Sequence, residues 1–141
     1  MKIQSSLFFL ALLSAIPLCQ SVDYDYRFKK FKNQHIITNM DRGCDDIIES
    51  RNILDPNSKC KVKNTFILHS VENVTPVCQN GIPIHGNLMK SEGTFDIVVC
   101  ELKGEIDDKP CRYNSSKKRE HIVIACDGGK PVHFEDPTQC L

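Results

Sequence analysis

Eight cysteines are spread along a chain of 141 residues, and their spacing limits the fold more than any other feature. They stand at Cys19, Cys44, Cys60, Cys78, Cys100, Cys111, Cys126 and Cys140. None forms a C-x-x-C pair, and the nearest two, Cys100 and Cys111, are eleven positions apart. Zinc knuckles and ribbons need ligand pairs separated by roughly two to four residues, so this spacing speaks for disulfides. Disulfides require an oxidising compartment, and the N-terminus supplies a route to one. Residues 1–21 carry a single lysine, Lys2, then the apolar run from Leu7 to Leu13 and a small-residue stretch ending Cys19-Gln20-Ser21. That is the layout of a cleavable signal peptide. The apolar run is too short for a membrane helix of about 20 residues. Cleavage after Ser21 leaves a domain over residues 22–141, with cleavage after Cys19 as the alternative, and the product reads as secreted and extracellular.

Without Cys19 seven cysteines remain, an odd number, so three bridges within the chain leave one thiol over or paired to another chain. Hydrophobic residues make up 40% and charged residues 26%, enough apolar content to fold one modest domain and to exclude disorder throughout. The 18 basic residues fall to 17 once Lys2 leaves, against 18 acidic ones. No whole-molecule field then draws in nucleic acid or membrane, and any polyanion site has to be a local cluster.

Phe28, Phe31 and His35 recur at steps of three and four, with Arg27, Lys29, Lys30 and Lys32 between them, which predicts an amphipathic helix over residues 24–36. Ile47 and Ile48 among charged neighbours predict a short helix over 45–51, before Asp55-Pro56-Asn57-Ser58 forces a turn. Beyond it, stretches rich in Val, Ile, Phe and Thr predict strands over 62–69, 94–102 and 121–126, and a shorter one over 132–134. Asn80-Gly81, Glu92-Gly93, Asn114 to Lys118 and Asp127-Gly128-Gly129 read as loops between antiparallel strands. Asn73 and Asn114 head glycosylation sequons, which implies exposed loops.

Five histidines are present, and histidine suits proton transfer near neutral pH. His69, His85 and His121 lack distinctive neighbours and read as surface or packing residues. His35 follows Gln34 on the first helix, and His133 lies in Pro131-Val132-His133-Phe134. Between them comes Cys60-Lys61-Val62-Lys63-Asn64-Thr65-Phe66. Three motifs in that order, on a cysteine-rich chain of this length, resemble the pancreatic-type ribonuclease family, also called the ribonuclease A superfamily. The match holds at Cys60, Lys61, Asn64, Thr65 and Phe66, at Phe31, Gln34 and His35, and at Pro131 to Phe134.

The resemblance implies an α+β fold with three helices and a curved antiparallel sheet carrying the active cleft. It implies the pairing Cys44–Cys100, Cys60–Cys111 and Cys78–Cys126, with Cys140 left unpaired. The cysteines of a fourth bridge found in the mammalian digestive enzymes are missing, which places the chain nearer the angiogenin and amphibian or fish branch. By the same resemblance the chain is an endoribonuclease for single-stranded RNA that cleaves after pyrimidines, with no cofactor and no metal. His35 is then the base, His133 the acid and Lys61 the cation facing the transition state. Gln34 contacts the scissile phosphate, Thr65 reads the base and Phe134 packs against it. Lys30 corresponds to an outer phosphate contact, and Asp127 stands for a glutamate near the downstream base. Further cations, Lys29, Lys32, Lys63, Lys117, Lys118, Arg119 and Lys130, supply candidate phosphate contacts. Glu135 stands where many members orient the acid histidine with an aspartate, and Val99 replaces an acidic residue that supports Thr65. The low net charge and the lack of a basic cluster at Glu49-Ser50-Arg51-Asn52 count against cytotoxic and nuclear-targeting roles. A signalling or host-defence protein, acting through a cell-surface receptor or microbial membrane with weak catalysis, is the second reading. A monomer is expected, apart from pairing through Cys140.

Overall fold

The apolar positions of the first predicted helix face inward. In the computed structural model, which describes residues 24–136, the chain is helical over 24–35 (α1), and Phe31 and His35 are both buried. The chain leaving α1 runs onto the next strand, where the Ile37 N–H donates to the Ile67 carbonyl at 3.1 Å. Helix α2 spans Cys44–Ser50 and buries Cys44, Ile47 and Ile48. Arg51, just past it, donates through Nη1 to the carbonyls of Asn33 (2.8 Å) and Ile36 (2.7 Å). Those carbonyls belong to the end of α1, where helical partners run out, so Arg51 caps one helix from the end of another.

Strand β1 covers Lys63–Ile67, followed by two short helices, α3 (Val71–Val74) and α4 (Val77–Asn80). Pro76, which has no N–H to donate, separates these halves of a third helical region. Then come β2 (Ile82–Pro83), β3 (Leu88–Lys90), β4 (Phe95–Lys103), β5 (Arg112–Glu120), β6 (Val123–Asp127) and β7 (Lys130–Glu135). They form an antiparallel sheet of three strands, in the order β1-β4-β5, and one of four, in the order β2-β3-β6-β7.

Side chains alternate across a strand, and here both faces of β1 and of the middle of β4 are covered. Ile67, Ile97 and Val99 join Phe31, Val74, Val77, Ile122 and Ile124 in one core, while Phe66, Val98 and Cys100 join Ile47, Ile48, Ile53 and Tyr113 in another. Burial on both faces explains the unbroken run Ile97-Val98-Val99-Cys100, which no half-exposed strand requires. Disulfides tie the layers together: Cys44–Cys100 joins α2 to β4, Cys78–Cys126 joins α4 to β6, and Cys60–Cys111 joins the segments leading into β1 and β5. Their separations of 56, 51 and 48 residues give each bridge about 4 kcal/mol in the chain-entropy picture.

Several expectations need correction. Asn114 to Lys118, read as a loop, lie inside β5, paired with β4 in register from Phe95↔Glu120 to Lys103↔Arg112. Asn, Ser and Lys have little strand propensity, and the register with β4 overrides it. All of β5 except Tyr113 is exposed, and its lysines and arginines suit an edge that must not recruit another chain. Both sequons therefore lie in regular structure, Asn114 on β5 and Asn73 on α3, and both asparagines are exposed. The helices over 71–80 and the short strands β2 and β3 have no counterpart in the element-by-element sequence reading. Residues 1–21 and Cys140 lie outside the described residues.

Candidate active site

Three elements bring the marked side chains to one cavity of about 610 Å³. α1 contributes Lys30, Gln34 and His35, β1 with its preceding turn contributes Lys61 and Thr65, and β7 contributes His133 and Phe134.

His35, 7% exposed, sits on the last turn of α1 with Nδ1 2.8 Å from the Thr65 carbonyl oxygen. A carbonyl only accepts, so Nδ1 carries the proton and Nε2 holds the lone pair of the neutral ring. Burial, seconded by the nearby Lys61 cation, drives the His35 pKa down to about 3, with the Thr65 bond opposing the shift. The ring is therefore neutral at physiological pH, the state a proton acceptor needs. Phe31 and Phe134 both pack against it, each with its ring centroid 5.3 Å away.

Lys61 Nζ donates to Asn64 Oδ1 at 2.8 Å and to Gln34 Oε1 at 3.3 Å. Its main chain is held too, because the Tyr113 hydroxyl donates to the Lys61 carbonyl at 2.7 Å. Burial, with a smaller push from Lys30, lowers the Lys61 pKa to about 8, which leaves it cationic near neutrality but weakly solvated. Asn64, only 2% exposed, also donates through Nδ2 to the Gln34 carbonyl at 2.8 Å. One asparagine thus aligns the lysine of β1 with the glutamine of α1. The sequence places Asn64 in the matched motif without marking this role, and nothing local in the sequence connects Tyr113 to Lys61, 52 residues away.

His133 is the exposed member of the group, 57% open at its side chain, with Nε2 2.9 Å from Glu135 Oε2. The carboxylate accepts from Nε2, so Nδ1 is the nitrogen left for a ligand. Thr65 is buried and pairs with Val99 across β1 and β4, so its neighbour offers no acceptor to its hydroxyl. Lys63 Nζ is bound to Asp136 at 2.8 Å on the cavity wall. Asp127 does not line the cavity, and its carboxylate accepts from Arg27 Nη1 at 2.7 Å. Lys117, Lys118 and Arg119 lie on β5, also away from the cavity. A buried neutral imidazole, an open imidazole bonded to a carboxylate and a desolvated ammonium form one constellation, suited to moving two protons around an anion.

The family model described as pancreatic ribonuclease matches residues 26–135. The chain belongs to the pancreatic ribonuclease family. As a pancreatic-type endoribonuclease it takes RNA as its substrate. It is 38% identical to mouse (Mus musculus) angiogenin-3 over 135 residues, covering 92% of this chain and 90% of that protein. It is 34% identical to a ribonuclease of Chelonia mydas over 116 residues, covering 77% and 96%. The X-ray structure of zebrafish RNase5 superposes with a TM-score of 0.73 at 34% identity, covering 81% of this chain and 96% of that one. The fold is ribonuclease A-like, and the similarity to angiogenins fits the branch suggested by the missing fourth bridge.

Proposed function

We propose that this ribonuclease is secreted and cleaves single-stranded RNA on the 3′ side of pyrimidines, with His35 and His133 as base and acid. The observation that carries this reading is the Nδ1 bond from His35 to the Thr65 carbonyl, which leaves Nε2 free beside Lys61. In the first step His35 Nε2 takes the proton of the 2′-hydroxyl, and the 2′-oxygen bonds to phosphorus. The bond from phosphorus to the 5′-oxygen breaks, and His133, protonated and presenting Nδ1–H, gives that oxygen its proton. Lys61 and Gln34 face the phosphoryl oxygens, where negative charge builds. The product is a 2′,3′-cyclic phosphate. In its hydrolysis the roles reverse: His133 takes a proton from water and His35 returns one to the 2′-oxygen.

Thr65 and Phe134 line the same cavity as the two histidines, where the resemblance puts the base. The three disulfides fit an oxidising, extracellular setting. Incubation with poly(U), poly(C) and poly(A), alongside His133→Ala, tests the reading. Cleavage of the pyrimidine polymers that the variant loses is the expected result; equal cleavage by the variant, or cleavage of poly(A) alone, refutes it. The similarity to proteins named angiogenin favours a second reading, a signalling or host-defence role alongside weak cleavage. Biological activity that persists in His133→Ala would support that reading.

A further inference from the structure

The cleft extends beyond the reacting groups, and its far end carries an aromatic ring. Tyr26, Lys30 and Gln34 stand four residues apart on α1, so they form one ridge along the helix, and all three line the cavity. Tyr26 lies eight residues before Gln34, about 12 Å along the helix axis at roughly 1.5 Å per residue. It is 67% exposed, more than any other large hydrophobic side chain among the described residues.

A single exposed apolar side chain is ordinary on a protein surface. What distinguishes Tyr26 is the anchoring of its neighbours. The Tyr24 ring lies 3.3 Å from where a Cβ on Gly128 would stand, in the turn between β6 and β7. Asp25 faces Lys130 at 3.5 Å, Arg27 binds Asp127 at 2.7 Å, and the Phe28 ring lies 5.3 Å from Lys130 Nζ. Four residues around Tyr26 thus dock onto the β6–β7 hairpin and fix the helical turn that holds its ring over the cleft. A ring carried on a fixed backbone has only its own side-chain rotation to lose when a flat ligand stacks on it.

The direction of the substrate follows from the proposed function, on which this inference rests. The base read by Thr65 lies at the C-terminal end of α1, where Thr65 accepts from His35. RNA that passes from there across Lys61 continues toward the N-terminal end of the helix, on the side of the leaving 5′-oxygen. We propose that Tyr26 is a stacking platform for a nucleobase downstream of the scissile phosphate, one helical turn beyond Lys30, whose outer phosphate contact the family resemblance already implies. Stacking on a π-face accepts any base, so the site confers a preference for longer RNA rather than for a sequence.

The test uses the oxidised chain over residues 22–141 with Tyr26→Ala and Tyr26→Phe, and two substrates: UpA, and UpA extended by three 3′ adenosines. Base–aromatic stacking corresponds to about a 5- to 150-fold effect. Tyr26→Ala is therefore expected to lower kcat/KM on the extended substrate by about fivefold or more, through KM, while UpA changes by less than about twofold. Tyr26→Phe keeps the preference for the longer substrate. Equal losses on both substrates, or no loss on the longer one, overturn the proposal. Binding of the corresponding 2′-deoxy oligonucleotides, which lack the nucleophile, separates the two readings. If the unsubstituted protein cleaves neither RNA, the cleavage reading falls, and a length-dependent loss of affinity in Tyr26→Ala still supports the platform. No such loss in affinity overturns the platform as well.

Discussion

Folding buries an imidazole that must then stay neutral, and this makes His35 a source of acid sensitivity. In the unfolded chain its pKa is ordinary, 6.5; in the folded protein burial and the neighbouring Lys61 hold it near 3. As pH falls below 6.5 the unfolded chain takes up a proton that the folded chain refuses, so protons favour unfolding. The stability present above pH 6.5 is lost progressively as pH falls toward 3. At about 1.36 kcal/mol per unit, the loss is about 3 kcal/mol by pH 4, a large share of a small domain's total. The perturbation is His35→Asn, which keeps a side-chain N–H for the Thr65 carbonyl but does not titrate. Equilibrium unfolding in guanidinium chloride at pH 7.5 and pH 4, disulfides intact, measures the difference. The variant should gain about 3 kcal/mol relative to the unsubstituted protein between those two pH values. Parallel stability curves would show that His35 is not held neutral and would refute the reasoning.

Other outcomes follow from the same contacts. Lys61→Ala should lower kcat on UpA by about 10²- to 10³-fold with little change in KM, and Lys61→Arg should restore only part of it, because a bulkier planar guanidinium places its donors differently from the compact ammonium bonded to Asn64. Steady-state kinetics of both variants check this. Tyr113→Phe removes the hydroxyl that serves the Lys61 carbonyl and should cost about 1 kcal/mol in urea unfolding. Replacing Cys78 and Cys126 together by Ala frees α4 from β6 and should cost about 4 kcal/mol in the same assay. A loss below about 1 kcal/mol would contradict the loop-entropy account of that bridge.

The fold was legible where pattern and burial agree. Phe28, Phe31 and His35 mark α1 because a helix repeats every three to four residues, and the paired Ile47 and Ile48 mark α2. β5 was not legible, because its Asn, Ser, Lys and Arg residues show no alternation and its strand conformation comes from pairing with β4. The helices over 71–80 were hidden by β-branched residues and by Pro76 at their junction. At the site, three short motifs marked His35, Lys61 and His133, which line one cavity. The supporting contacts were invisible, since Asn64 to Gln34 spans 30 residues and Tyr113 to Lys61 spans 52. Asp127, marked by its place beside Cys126, is engaged with Arg27, a partner that only the packing of α1 reveals.

Phosphorus NMR of UpA turnover tests the His35, Lys61 and His133 mechanism most directly. The expected course is early accumulation of uridine 2′,3′-cyclic phosphate, slower conversion to the 3′-phosphate, and suppression of both steps in His133→Ala. Release of a 5′-phosphate on adenosine without a cyclic intermediate would contradict the mechanism, as would an unchanged course in the variant.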